Sequence, residues 1–492
     1  MGLLERLEDY TAGDMYPFHM PGHKRQGFLE KGPCAFPNPY LIDITEINGF
    51  DNLHHATGIL KESMDWAAKQ YGAKKTYYLV NGSTCGILSA VFATTKCGGK
   101  MLISRNCHLS VYHGIVLNRI EPEYVYPESI DSFGINGEIR AKEIEEILSE
   151  NKKMADHGRD KRIEAVLLVS PTYEGIVSDI RRIAKIVHAF QIPLIVDEAH
   201  GAHLSFAPED NFFPESALSQ GADLVIQSLH KTLPSLTQTA LLHVKSDRID
   251  QNKVERYLRI FQSSSPSYLL MAGMERCIRY MVQEGRDEMI RYKGRLVHFY
   301  EKMHKLKKLK MLDGAHKDPS KLVISAQWTE GLSGEKLKDI LRERFHLEAE
   351  LCAPEYVLAM TSLMDTDAGF ARLEEALLAI DREYVAFGKK ESRKKIFSCI
   401  MPSATQVLSP ARALEEEEFR IPLAEATGNI SKEFVFLYPP GIPILVPGEK
   451  VSKEILSRIF SFQSAGLPLQ GLSDPEFSTI LAVACPDKSM IK

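Results

Sequence analysis

Between residues 70 and 250 seven short apolar runs alternate with helical patterns: TYYLV, KMLISR, YVYP, EAVLLVS, PLIVDE, DLVIQS and ALLHV. No other feature constrains the fold as much. Strands that take turns with helices form a mainly parallel sheet covered on its faces by those helices. Between two of the runs, SDIRRIAKIVHAF carries Ile180, Ile183, Ile186 and Val187 at helical spacing. Sheets of this kind hold ligands at the carboxyl ends of their strands. The expected class is therefore α/β with a mainly parallel seven-stranded sheet.

The flanks read differently. Residues 1–65 contain YPFHMPGHKRQGF and DITEINGFDNLHHATG, rich in Gly, Pro and His, and read as an irregular arm with little core of its own. The large domain is expected over 66–305 and ends in a long helical stretch from SPSYLL to HKL. A smaller α+β domain follows over 306–390, with KLVISA as a strand and GEKLKDILRERF as a helix. The charged run GKKESRKK reads as a linker. A C-terminal α+β domain over 391–492 contains EFVFLYPPGIPILVPGEKV, where Pro and Gly mark tight turns between short strands.

Composition narrows the function classes. The formal net charge of −5 and the lack of a basic tail argue against a nucleic-acid-binding surface. No window reaches the roughly 18 apolar residues of a membrane span. The start MGLLERLEDY shows no secretory signal. Eight cysteines form no C-x-x-C pair, so neither a disulfide framework nor a zinc knuckle is indicated. Cytoplasm is the expected location.

Chemistry-bearing residues gather where the strands end. After LVNG come Gly82, Ser83 and Thr84 and then a helix; this is either a phosphate cradle or simple N-capping by a hydroxyl. Asn106 and His108 end the next strand. Ser170-Pro171-Thr172-Tyr173 ends another, with Asp179 placed to cap the following helix. Asp197 ends the apolar PLIVD, where a buried acid needs a partner. The helicase reading of DEAH requires a phosphate loop that is absent. A metal site from Asp197, His200 and His203 lacks a fourth ligand. The remaining reading is an acid that holds the protonated ring nitrogen of pyridoxal phosphate (PLP).

That reading accounts for Lys231 in DLVIQSLHKTLPSL. PLP chemistry needs a Schiff-base lysine, an acid at the ring nitrogen and a phosphate anchor. Lys231, Asp197 and the Ser83-Thr84 turn occur in a fitting order along the sheet. A lysine in apolar surroundings near another cation is held toward its neutral, nucleophilic form.

Together PFHMPGHK, NGST, RNCH, SPTYEGIVSD, VDEAHGAH, SLHKTLPSLTQ, SPSYLL and YPPGIPILVPGE resemble the Orn/Lys/Arg decarboxylases, PLP enzymes of the aspartate aminotransferase fold, type I. The resemblance runs from about residue 16 to the C-terminus. It is to the short bacterial form, with no room before PFHMPGHK for the N-terminal wing domain of larger members. It implies decarboxylation of arginine or lysine, less readily ornithine, with PLP, in a homodimer whose sites lie at the interface.

By that resemblance Lys231 is the Schiff-base lysine and Asp197 the partner of the ring nitrogen. His108 stacks on one ring face and Ala199 packs on the other. Gly82, Ser83, Thr84, Ser228 and His230 surround the phosphate, and Ser263 or a neighbouring serine of FQSSSPSY reaches the partner subunit's phosphate. His200 sits near the cofactor's phenolic oxygen or the substrate. Leu109 departs from the lysine many relatives carry there. A basic side chain needs an acid at its far end, and Glu46, Asp51 and Glu449 are the candidates. An aminotransferase or lyase of the same fold is the runner-up; an aminotransferase would use Arg342, Arg344 or Arg372 to hold the α-carboxylate. A non-catalytic PLP-binding protein is a third reading.

Overall fold

The computed structural model describes residues 2–26, 38–314, 316–385 and 401–484. At its centre is a seven-stranded sheet. Its order in space is Lys75–Leu79, Ala240–Val244, Leu224–Gln227, Leu194–Asp197, Ile163–Val169, Lys100–Ser104 and Glu121–Val125. Only Ala240–Val244 runs antiparallel to its neighbours. All seven expected strands are present. YVYP is the one displaced, because the pairing with Lys100–Ser104 begins at Glu121.

The strand residues alternate between two cores. Leu102, Val166, Leu168, Val196 and Val225 enter one; Met101, Ile103, Leu167, Ile195 and Ile226 enter the other. Apolar residues on both faces are what a sheet sandwiched between helices requires. Each fully buried aliphatic side chain contributes ~1.5–3 kcal/mol. In register, Asp197 lies beside Val169 and Ile226, so neighbouring parallel strands finish at one edge. The polar residues at their ends are thereby brought together.

The long helical stretch is two helices, Tyr268–Gln283 and Gly285–Met303. It breaks at Glu284-Gly285, where glycine weakens helix propensity by ~1 kcal/mol. A four-stranded antiparallel sheet follows, Lys310–Met311, Lys321–Ser325, Tyr356–Met360 and Leu351–Cys352. Helices Gly334–Phe345 and Asp367–Glu383 accompany it. The C-terminal part carries the strands Val435–Leu437, Ile442–Leu445 and Leu469–Gln470 and the helix Lys453–Ser464. The expected linker GKKESRKK lies outside the described residues.

The arm is more ordered than its composition suggests. Leu3–Ala12 is a helix, and Tyr16–Phe18 pairs in parallel with Leu347–Ala349. Helix Ile59–Tyr71 places Leu60, Met64 and Ala67 in the main core, and Phe18 joins them. The expectation of little core in this region is corrected by these contacts, which are long-range and invisible to local patterning.

Candidate active site

Lys231 sits in the short helix Leu229–Thr232, directly after the strand Leu224–Gln227. Leu229 and Leu233 are fully buried and anchor the turn. Pro234 stops the helix from continuing. His230 and Lys231 are thereby turned into a cavity of about 520 Å³ at the carboxyl edge of the sheet. Gly22 of the arm presses on this turn. Its N–H donates to the His230 carbonyl at 2.7 Å. A Cβ there would meet the Leu233 backbone N and O at 2.8 Å. Only glycine allows this approach, and it brings Met20 and Pro21 onto the cavity wall.

The Lys231 Nζ lies 3.0 Å from His200 Nε2. Burial lowers the pKa of the amine; nearby Asp197 opposes that and Lys321 adds to it. Asp197 is 4% exposed, and its Oδ1 accepts the Ala199 N–H at 3.1 Å. Burial raises its carboxyl above the usual range, against the opposing pull of Lys231. His108 caps the helix Leu109–Leu117, its Nδ1 accepting the Ser110 N–H at 3.1 Å. Burial and the charge of Lys231 push it down to about 4, so the ring is neutral. The turn at Gly441 covers it, with the Gly441 carbonyl accepting the Leu109 N–H.

These residues fit PLP. Helix Gly82–Thr94 has no side-chain cap, because Asn81 Oδ1 instead accepts the Ser263 N–H. Its first-turn N–H groups therefore remain available to an anion beside the hydroxyls of Ser83 and Thr84. Gly82 begins the turn at φ +70°, a region that favours glycine. Ser228 Oγ and Asn106 Oδ1 are buried without hydrogen-bond partners. Such orphans are rare in a finished interior and mark the place of a polar guest.

The cavity wall brings together Gly82, Ser83, Thr84, His108, Asp197, Ala199, His200, His230 and Lys231. Ser228 lies fully buried beside it without forming part of the wall. Ser263 is exposed and stands behind the turn at Gly82, its carbonyl accepting from His54 Nε2. His203 pairs with Asp318 at 3.3 Å. Among the described residues no group of three or more His, Cys, Asp or Glu is arranged for a metal ion.

The expected distal acids are corrected. Glu449 is fully buried in a two-point pair with Arg105, Oε1 at 3.1 Å and Oε2 at 3.0 Å. It has no oxygen left for a substrate. The Asp51 carboxylate accepts backbone N–H groups of Thr57, Gly58 and Leu60 and so caps the helix Ile59–Tyr71. Glu46 is exposed and off the wall of this chain's cavity. The arginines offered to an α-carboxylate are spent too: Arg342 pairs with Glu348, Arg344 with Glu383 and Arg372 with Asp14.

Sequence reasoning missed Met20, Glu174, Glu350, Tyr438, Pro439, Pro440 and Ile442, all on the wall, and named Tyr173 there only as a strand-end residue. Tyr173 and Glu174 stand in SPTYEG at a strand end, a signal that was available. Glu350 carries none. It accepts from Tyr173 OH at 2.5 Å and from the Met20 N–H at 2.9 Å, contacts that only the fold creates.

Comparison with known proteins agrees with this geometry. The family model for the Orn/Lys/Arg decarboxylase major domain matches residues 2–319, and that for the C-terminal domain matches 390–468. The chain is 31% identical to the arginine decarboxylase of Bacillus subtilis (strain 168), over 96% of this chain and 95% of that protein. The structure of the Escherichia coli constitutive lysine decarboxylase aligns with a TM-score of 0.76 at 19% identity, covering 98% and 81% of the two chains. A structure of SPT with PLP aligns with a TM-score of 0.54 at 12% identity, covering 75% and 87%. The fold is thus that of PLP fold type I enzymes. The chain belongs to the Orn/Lys/Arg decarboxylase family and is a decarboxylase of basic amino acids.

Proposed function

We propose that the chain uses PLP held on Lys231 to decarboxylate arginine, with lysine as the next substrate in preference and ornithine last. Identity of 31% to an arginine decarboxylase against 24% to a lysine decarboxylase supports placing arginine before lysine. One observation carries the reading. Lys231, Asp197 and His200 meet in one cavity whose wall, among the described residues, contains no arginine. An aminotransferase keeps its substrate's α-carboxylate and needs a cation to hold it. A decarboxylase must let that group go, which an apolar setting favours.

When bound, PLP supplies an electron sink for the pair left behind as the carboxylate departs. Asp197 would keep the ring nitrogen protonated. Lys231, held toward its neutral form, presents a nucleophilic amine. The Nε2 of His200 lies within hydrogen-bond distance of that amine and would exchange a proton with it. Neutral His108 would offer a flat face to the ring and Ala199 the opposite one. Ser83, Thr84, Ser228 and His230 would hold the phosphate, with the helix N-terminus behind them. Lys231 or His200 returns a proton to the substrate's Cα.

We further place the enzyme in the cytoplasm as a homodimer. The described cysteines 85, 97, 107, 277 and 352 are all free thiols, as in reducing compartments. No helix among the described residues is long and apolar enough to cross a membrane. Leu3, Leu4 and Leu7 lie exposed on one helix face, and Tyr40 and Leu41 are exposed further along the arm. This apolar arm suits a second copy.

The test offers arginine, lysine and ornithine to the PLP-loaded enzyme and measures carbon dioxide beside keto acid. Carbon dioxide with the matching amine is expected. Keto acid alone would establish the aminotransferase reading. The absence of an absorbance band from a lysine-bound cofactor would favour the non-catalytic one. Borohydride reduction and peptide mapping should label Lys231, and Lys231→Ala should lose label and turnover together; a label elsewhere would remove the central assignment.

A further inference from the structure

Decarboxylation of a long basic amino acid leaves one structural question open: what receives the distal cation once Glu449 and Asp51 are committed elsewhere. Three carboxylates stand on the cavity wall: Asp197, Glu174 and Glu350. Asp197 ends the central strand and is coupled to Lys231. Glu350 already accepts from Tyr173 OH with one oxygen and from the Met20 N–H with the other.

Glu174 is different. It is 5% exposed; Tyr356 OH donates to its Oε1 at 2.9 Å and the Thr172 hydroxyl also bonds to it, but neither partner carries a charge. No cation among the described residues forms an ion pair with it. Burial raises its carboxyl above the usual glutamate range, as expected of an acid lacking a counter-charge. An isolated buried carboxylate is costly, and buried charges are ordinarily paired.

Its position fits a distal pocket. A second cavity, about 50 Å³, shares Asn136, Glu174, Pro439, Pro440 and Ile442 with the main one. Lys231, Asp197, His108 and the phosphate turn are absent from its wall. Glu174 therefore marks the side of the main cavity turned away from the chemistry. Around it lie Leu351, Tyr356 and Phe462, which suit the methylenes of a long side chain, and Arg458, which already has an interaction of its own.

We propose that Glu174 is the carboxylate that docks the guanidinium or ammonium of the substrate and so selects basic amino acids. The assignment rests on the decarboxylase reading above. A polar but neutral side chain of the same shape leaves this buried acid unpaired, whereas a cation neutralises it.

The test compares arginine with citrulline, its uncharged near-isostere, and lysine with norleucine. It uses the full-length PLP-loaded enzyme and measures carbon dioxide release. In Glu174→Gln, kcat/KM for the basic substrate should fall roughly 10- to 100-fold, mostly through KM. The ratio of basic to neutral substrate should collapse, while borohydride labelling of Lys231 stays unchanged. Glu174→Asp, which keeps the charge on a shorter stem, should restore part of that ratio; it also serves as the readout should the glutamine variant fail to fold. An active wild type whose charge preference survives both substitutions would overturn this assignment alone. A wild type that releases no carbon dioxide from any basic amino acid would overturn the underlying reading and this assignment together.

Discussion

Lys231 Nζ and His200 Nε2 stand 3.0 Å apart, within hydrogen-bond distance. The other ring nitrogen, Nδ1, is buried without a partner. The residue is held at its ring and at its backbone. Tyr173 packs against it at 4.4 Å between centroids, and Lys321 Nζ donates to the His200 carbonyl at 3.4 Å. Burial, then the charges of Lys231 and Lys321, keep His200 well below its ordinary pKa.

A base so placed works on the amine rather than on substrate binding. His200→Ala should lower kcat about 100-fold or more, with KM changed far less. Reductive labelling of Lys231 should persist. A variant with the wild-type kcat would mean that His200 only fills space.

The Arg105–Glu449 pair predicts a different phenotype. Both side chains are fully buried, and Arg105 also donates to the Pro443 carbonyl and lies over the rings of Tyr112 and Tyr124. Removing one partner of such a pair leaves a buried charge and costs roughly 3–5 kcal/mol. Glu449→Gln should lower the denaturation midpoint clearly while leaving KM of the folded fraction unchanged. A raised KM with unaltered stability would return Glu449 to the substrate.

That same pair shows where sequence reading stops. Strand ends were legible because apolar runs stop abruptly, which put Asp197 and Lys231 in view. Glu449 sits in a turn that looks solvated, and its partner lies 344 residues away. Asp51 likewise looks like a loose loop acid until the chain doubles back as a helix whose N–H groups it caps. Met20 and Glu350 reach the cavity only because Tyr16–Phe18 pairs with Leu347–Ala349. Local patterning carries information about which residues are buried, and almost none about which distant groups they meet.

Glu198, beside Asp197, predicts a pH dependence of stability. It is 1% exposed and accepts from Ala217 N–H, Ser216 Oγ and Gln227 Nε2. Burial nonetheless pushes it up to about 7, from 4.5. Between these values the native protein holds a proton that the unfolded chain has lost. The stabilisation is complete below about pH 4.5 and is lost as pH rises through about 7, on the order of 3 kcal/mol. Denaturation midpoints of Glu198→Gln should therefore decline less over this interval than those of the wild type, whatever the variant's absolute stability. Parallel curves for the two proteins would show that Glu198 stays ionised throughout.

His108 provides the last prediction, because burial pushes its pKa in the direction opposite to that of Glu198. Burial comes first and the charge of Lys231 second, and together they push the imidazole down to about 4. Above about pH 5 the ring is uncharged and holds no second proton to donate. Its use is then the flat face it turns to the cavity, fixed by Ser110 at one nitrogen and by the Gly441 turn at the other. His108→Phe keeps such a face and should retain substantially more activity than His108→Ala, which should lose roughly 10- to 100-fold in kcat together with a shifted cofactor absorbance. The rate–pH profile of the phenylalanine variant should overlay the wild type between pH 5 and 9 after scaling. If the wild-type profile contains an ionisation that disappears only in His108→Phe, the ring is an acid rather than a platform, and the stacking role is wrong.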